Sequence, residues 1–208
     1  MVQTIPAREI DLRYLIDHFG LQRVRDPEFF PEWQTNLPAI TDLEKQQLDK
    51  IKEGYYNLIE YPPVLENVVK LSIISPLLFI ADFYLPPFHI KTEKSIQIQS
   101  EYDGITIEGR IDILLLKENF WATVIESKNF SFSNEEGLAQ LLTYMLANPN
   151  NQTITYGLVT NGVDFQFVKL KCEETPKYSL SNKFILTNQG EDFYQVLQIL
   201  KKLSSFVD

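Results

Sequence analysis

The stretch that most constrains this chain runs from Gly109 to Lys128. Ile111, Ile113, Leu114, Leu115 and Leu116 make one apolar run. Phe120, Trp121, Ala122, Val124 and Ile125 make a second, and Lys117-Glu118-Asn119 separates them. Apolar, β-branched runs either side of a short polar break predict two adjacent strands, apolar enough to be buried on both faces. Charge inside such strands needs a reason. Side chains alternate faces along a strand, so Glu126 and Lys128 are expected on one face and Ser127 on the other. Asp112 precedes Glu126 by fourteen residues, a separation that one hairpin closes. An Asp, a Glu and a Lys gathered at the wet end of a hairpin can hold a divalent cation and position a water.

Asp112 followed by Glu126-x-Lys128 resembles the core of the PD-(D/E)xK nuclease superfamily. Three further segments carry the same resemblance. Gln140-Leu141-Leu142-Thr143-Tyr144 is similar to the Q-x-x-x-Y element of the branch that includes exonucleases and the nuclease domain of type I restriction enzymes. Glu66, followed by Ile74-Ser75-Pro76-Leu77-Leu78, resembles that domain's first helix, an acidic residue followed by I-x-P-x-L. Tyr156-Gly157-Leu158-Val159-Thr160-Asn161-Gly162 resembles its G-x-V-T-N-G hairpin. The resemblance spans about residues 64–170. It implies an α/β, restriction-endonuclease-like fold, a mixed sheet flanked by helices, over residues 61–208. Residues 1–60 lie outside it and are read as a mainly helical extension packed on the core.

The resemblance also implies a site. Asp112, Glu126, the backbone carbonyl of Ser127 and Glu66 would hold Mg²⁺, with Mn²⁺ as a substitute. Lys128 would orient or deprotonate the attacking water, or offset charge on the phosphate. Gln140 would contact the Lys128 region or the DNA backbone. The implied partner is nucleic acid, DNA in the first instance. Cutting both strands would require two sites, hence a homodimer or a partner subunit.

Each of these residues also has a plainer reading. Asp112, Glu126 and Lys128 could form a cross-strand ion pair on a solvated sheet face. Glu66 could pair with Lys70 four residues on. Gln140 and Tyr144, also four apart, could sit on a solvated helix face. Glu108 and Arg110 read as exposed strand residues in phase with Asp112. Thr160-Asn161-Gly162 reads as turn chemistry. His18 and His89 lack partner spacing, and Ser127 has no His/Asp arrangement that would make it a nucleophile.

Composition narrows the classes. At 208 residues and 44% apolar, the chain can build a sizeable core. A net charge of −9 argues against an extended DNA-binding face, though not against a metal site that recruits phosphate through its cation. The single cysteine, Cys172, excludes an internal disulfide and a multi-cysteine zinc site. The polar N-terminus is unlike a signal peptide, and Ser72, Ser75, Pro76 and Asp82 interrupt the longest apolar stretch, so no membrane span and a cytoplasmic location are expected. Two alternatives to a nuclease stand. One is a catalytically inactive member used for binding or assembly. The other is a metal-dependent hydrolase acting on something other than nucleic acid.

Local patterning supplies the remaining elements. Arg8–Phe19 has helical spacing. Thr41 with Glu44 predicts a capping box and a helix to about Asn57. Pro62-Pro63 is expected to open a helix, apolar nearly all round and therefore buried, which Pro76 ends or kinks. Strands are expected at Ser95–Tyr102, Ile105–Leu116, Phe120–Ser127, Thr153–Thr160 and Val163–Leu170, with a turn at Asp103-Gly104. Helices are expected from Asn134, with Leu138, Leu141, Leu142 and Met145 as its apolar stripe, and over Glu191–Leu203.

Overall fold

The computed structural model describes residues 4–62, 65–99, 105–117, 120–127, 134–149 and 154–205, with the backbone alone at 99, 120–127 and 134–136. The strands are β1 (Thr4–Pro6), β2 (Gln22–Arg23), β3 (Phe88–Gln99), β4 (Thr106–Lys117), β5 (Phe120–Ser127), β6 (Ile154–Thr160), β7 (Asp164–Lys171) and β8 (Lys177–Ile185). They form one mixed sheet in the order β1-β4-β5-β6-β7-β8-β2, with β3 also paired to β4. The protein is therefore a mixed α/β structure.

Helices cover both faces. On one lie α2 (Asp42–Ile59), α3 (Glu66–Val69), α4 (Ser75–Ile80) and α6 (Asp192–Ser204), packed over Ile113, Leu115, Leu158, Phe165 and Phe167. On the other lie α1 (Leu12–Phe19) and α5 (Asn134–Leu146), over Ile107, Ile111, Leu114, Val159 and Val168. The expected stripe of α5 is buried as read: Leu138, Leu141, Leu142 and Met145 are each 5% exposed or less. β5 and β6 pair in parallel, with α5 as the crossover that such pairing requires.

The turn at Asn161-Gly162 shows why those residues are there. Asn161 Oδ1 accepts the N–H groups of Val163 and Asp164 at 3.0 and 2.8 Å. Gly162 has φ +86°, and a Cβ there would lie 2.5 Å from Val69 Cγ1. A left-handed backbone pressed against a helix leaves room for glycine alone. Thr41 and Glu44 form the capping box reciprocally, and α2 runs to Ile59.

Several sequence expectations are corrected. The segment read as one helix from Arg8 divides into a 3-10 turn, Ala7–Glu9, and α1, whose N-cap Asp11 accepts the Tyr14 N–H at 2.7 Å. The helix expected from Pro62-Pro63 starts at Glu66 instead. Pro76 does not end it. A π turn over Lys70–Ile74 precedes α4, and Pro76 falls in the first turn of α4, where its missing N–H costs little. Nor is this segment buried all round, since Leu65, Leu71 and Phe79 are more than half exposed. The N-terminal extension is not only helical, because β1 and β2 join the sheet. The Asp103-Gly104 turn lies outside the described residues.

β4 is the strand that positions everything else. It has two edges but three partners. β3 runs along Thr106–Lys117 on one edge. The other is shared: β1 pairs with Thr106, Ile107 and Glu108, and β5 with Ile113 to Lys117. Positions 109–112 fall in the notch between those two strand ends. The alternation of faces also changes phase there. Ile107 and Ile111 face α5, but so do Leu114 and Leu116, while Ile113 and Leu115 face α3. Regular alternation cannot hold across Asp112. Opposite it, Glu93 in β3 has φ +52° and the Glu93–Asp112 pair is missing from an otherwise continuous ladder.

Candidate active site

Asp112 sits at this notch with its side chain 18% exposed. Lys70, from the helical segment on the α3 face, donates from Nζ to Asp112 Oδ1 at 2.9 Å. The same ammonium lies 2.6 Å from Glu66 Oε1. Glu66 and Lys70 are one helical turn apart, so the plainer reading of Glu66 as an i,i+4 partner holds. What the sequence did not reveal is that the pair closes on Asp112, forty-two residues away. Burial acts to lower the Lys70 pKa, but hydrogen bonds from the ammonium to Glu66 and Asp112 outweigh it and hold the pKa above its ordinary value.

The register carries the site across to β5. Ile113 and Ile125 are the last pair of the β4–β5 ladder, and Asp112 and Glu126 are the residues next beyond it on their two strands. Glu126 and Ser127 stand opposite Val159 and Thr160 of β6. The Glu126 carboxylate and the whole of Lys128 lie outside the described residues. So does the expected closeness of Asp112, Glu126 and Lys128, and with it the facing of Gln140 toward Lys128.

Gln140 and Tyr144 are not on a solvated helix face, as the plainer reading had it. Tyr144 is 1% exposed, and Gln140 Nε2 donates to its hydroxyl at 2.6 Å. Tyr144 reaches β4 from the α5 side, where a Cβ on Gly109 would meet its Cε1 at 2.6 Å. A glycine at 109 is what lets the ring lie against the strand. The two groups thus meet β4 from opposite faces at Gly109 and Asp112, a separation of about 10 Å along a strand.

Beside Gly109 is an open cavity of about 530 Å³, lined by Arg8, Gln97, Glu108, Arg110, Gln140 and Tyr144 among others. Glu108 and Arg110 are exposed, as expected of outward strand residues. Glu108 accepts from Gln97 at 2.6 Å, and Arg110 pairs with Glu93 at 3.2 Å. Arg8 arrives from the N-terminal segment, which the sequence reading left out of the site.

The donor chemistry fits a hard divalent cation. Glu66 and Asp112 already share one positive group, so their oxygens converge on a point that a cation can occupy, and both are the oxygen donors that magnesium prefers. Among the described residues, no group of three or more His, Cys, Asp or Glu side chains is placed to hold a metal. No described helix is long and apolar enough to cross a membrane.

No protein-family model matches the chain, and no curated protein matches it.

Proposed function

We propose that this protein is a magnesium-dependent nuclease of the PD-(D/E)xK type, acting on DNA. The observation that carries the reading is the convergence of Glu66 and Asp112 on a single cationic position, where the β4–β5 ladder ends. Asp112, Glu66, Glu126 and the Ser127 carbonyl would hold the ion. When bound, the ion supplies Lewis-acid activation of water and offsets the charge of the phosphodiester. Lys128 orients the attacking water or takes its proton, and Gln140 contacts the backbone of the substrate strand. Arg8 and Arg110 line the neighbouring cavity together with Glu108, and either guanidinium could meet a phosphate.

A second reading is favoured by the same contact. Lys70 bridges Glu66 and Asp112 and offsets one of their two charges, as a purely structural ion-pair cluster would, which suits a catalytically silent binding or assembly module. Incubation with plasmid, single-stranded DNA and RNA, each with Mg²⁺, Mn²⁺ or EDTA, separates the two. Metal-dependent cleavage that Asp112→Ala abolishes supports the nuclease. No cleavage of any of the three, by protein of intact fold, overturns it.

A further inference from the structure

We propose that Lys70 is a built-in competitor for the metal site, an internal cation that a divalent ion must displace from Glu66 and Asp112. This rests on the nuclease reading and concerns how its site is regulated.

The ammonium is within hydrogen-bond reach of both carboxylates, 2.6 Å from Glu66 Oε1 and 2.9 Å from Asp112 Oδ1. It is also three-quarters buried, at 23% side-chain exposure, so it is not a loose surface partner. Two carboxylates brought together in a half-buried notch repel one another, and a fixed cation between them relieves that repulsion. A divalent ion bound by the same oxygens could not share them with an ammonium at these distances. Electrostatic repulsion and simple exclusion both oppose joint occupancy, so occupancy by one must fall as the other rises.

The backbone favours such an exchange. Lys70 is the first residue of the π turn that interrupts the helix between α3 and α4. A π turn has a wider hydrogen-bond pattern than the helix around it, and the side chain at its start can be re-aimed by a local change in that turn. Glu66 is 41% exposed, so the displaced ammonium has water on that side to enter. In this arrangement Lys70 keeps the acidic pair together between metal-binding events and raises the cation concentration at which the site fills.

The test is Mn²⁺ and Mg²⁺ titration of the full chain by calorimetry, for the unaltered protein and for Lys70→Met, Lys70→Arg and Asp112→Ala. Circular dichroism checks that each is folded. Lys70→Met is expected to bind the metal roughly tenfold more tightly or better, the scale of removing one adjacent unit charge. Lys70→Arg keeps the charge and is expected to bind no more tightly than the unaltered protein. Should Lys70→Met fold poorly, selective labelling of lysine ε-carbons gives the second readout, a Lys70 resonance that moves to a solvent-exposed position on Mg²⁺ addition. Equal or weaker binding by Lys70→Met, while the unaltered protein binds metal and Asp112→Ala does not, overturns the competition and leaves the nuclease reading standing. Absence of metal binding in every variant overturns both.

Discussion

Lys169 Nζ of β7 lies 2.5 Å from Glu32 Oε1, joining a central strand to the N-terminal segment across 137 residues. The two side chains are 9% and 12% exposed. Tyr156 of β6 donates to the same carboxylate oxygen at 3.0 Å. Burial and the nearby negative charge of Glu32 push the Tyr156 pKa well above its ordinary range, so the phenol stays protonated as a donor. This cluster joins residues 27–33 to the sheet beside the apolar contacts of Phe30 and Trp33.

Breaking the cluster from one side strands a buried charge. Glu32→Ala is expected to cost about 3–5 kcal/mol in urea unfolding, because Lys169 loses its partner in a dry position. Glu32→Leu with Lys169→Met together is expected to recover most of that loss. A double variant as unstable as the single one would show that the pair serves packing rather than charge balance.

Gly109 is expected to be intolerant of any side chain. A Cβ there would lie 2.6 Å from Tyr144 Cε1 and 2.7 Å from Ala7 Cβ. Gly109→Ala should lower stability by about 1–3 kcal/mol in thermal or urea unfolding, the usual cost of overpacking. Gly109→Ala in a Tyr144→Ala background should cost less, and equal costs in both backgrounds would remove Tyr144 as the cause.

Acid should weaken the join between α2 and α6. Lys201 of α6 pairs with Glu44, the third helical residue of α2, which also serves Thr41 in the capping box. Burial raises the Glu44 pKa, but the hydrogen bonds from Lys201 and Thr41 outweigh it, so the net shift is downward from 4.5. A lowered carboxylate pKa contributes stability that is complete above its unfolded value and is lost as pH falls through the folded one. Stability against pH should therefore decline below about pH 4.5 more steeply in the unaltered protein than in Glu44→Gln. Parallel curves would sink this assignment.

Under the proposed function, Asp112→Ala and Lys128→Ala should look alike in cleavage and differ in metal binding. Asp112 offers a carboxylate oxygen to a hard cation. An ammonium has no lone pair, so Lys128 is no ligand and its loss should leave Mn²⁺ affinity within a few-fold. Equal loss of affinity in both folded variants, read by calorimetry, would mean the roles are misassigned.

The strands with strong alternation or dense β-branched content were legible in the sequence, β5 to the residue, although the strand expected from Ser95 begins at Phe88. β8 was not. Its residues Lys177-Tyr178-Ser179-Leu180-Ser181-Asn182-Lys183-Phe184-Ile185 are too polar to stand out, its burial does not alternate, and hydrogen bonding to β7 defines it. β1 and β2 are three and two residues long, shorter than any period can be read from. At the site, Asp112 and Glu66 were legible as acids in unexpected places. Lys70 was legible only as a neighbour of Glu66, since its contact with Asp112 depends on how a helix lies over a sheet. The plainer alternative for Tyr144, a solvated helix face, fails because a helical wheel knows one apolar stripe and cannot see a glycine on a facing strand that opens a second.

β1 stops at Pro6, paired to Glu108, and the chain then leaves the sheet through a 3-10 turn. A proline ring carries no N–H and cannot extend a ladder. Three more paired residues would carry β1 along the notch to Ile111, at the margin of Asp112. The length of a strand near residue 6 thus decides whether an acidic residue more than a hundred positions later keeps an accessible edge, and selection on that N-terminal tripeptide would act as selection on the notch.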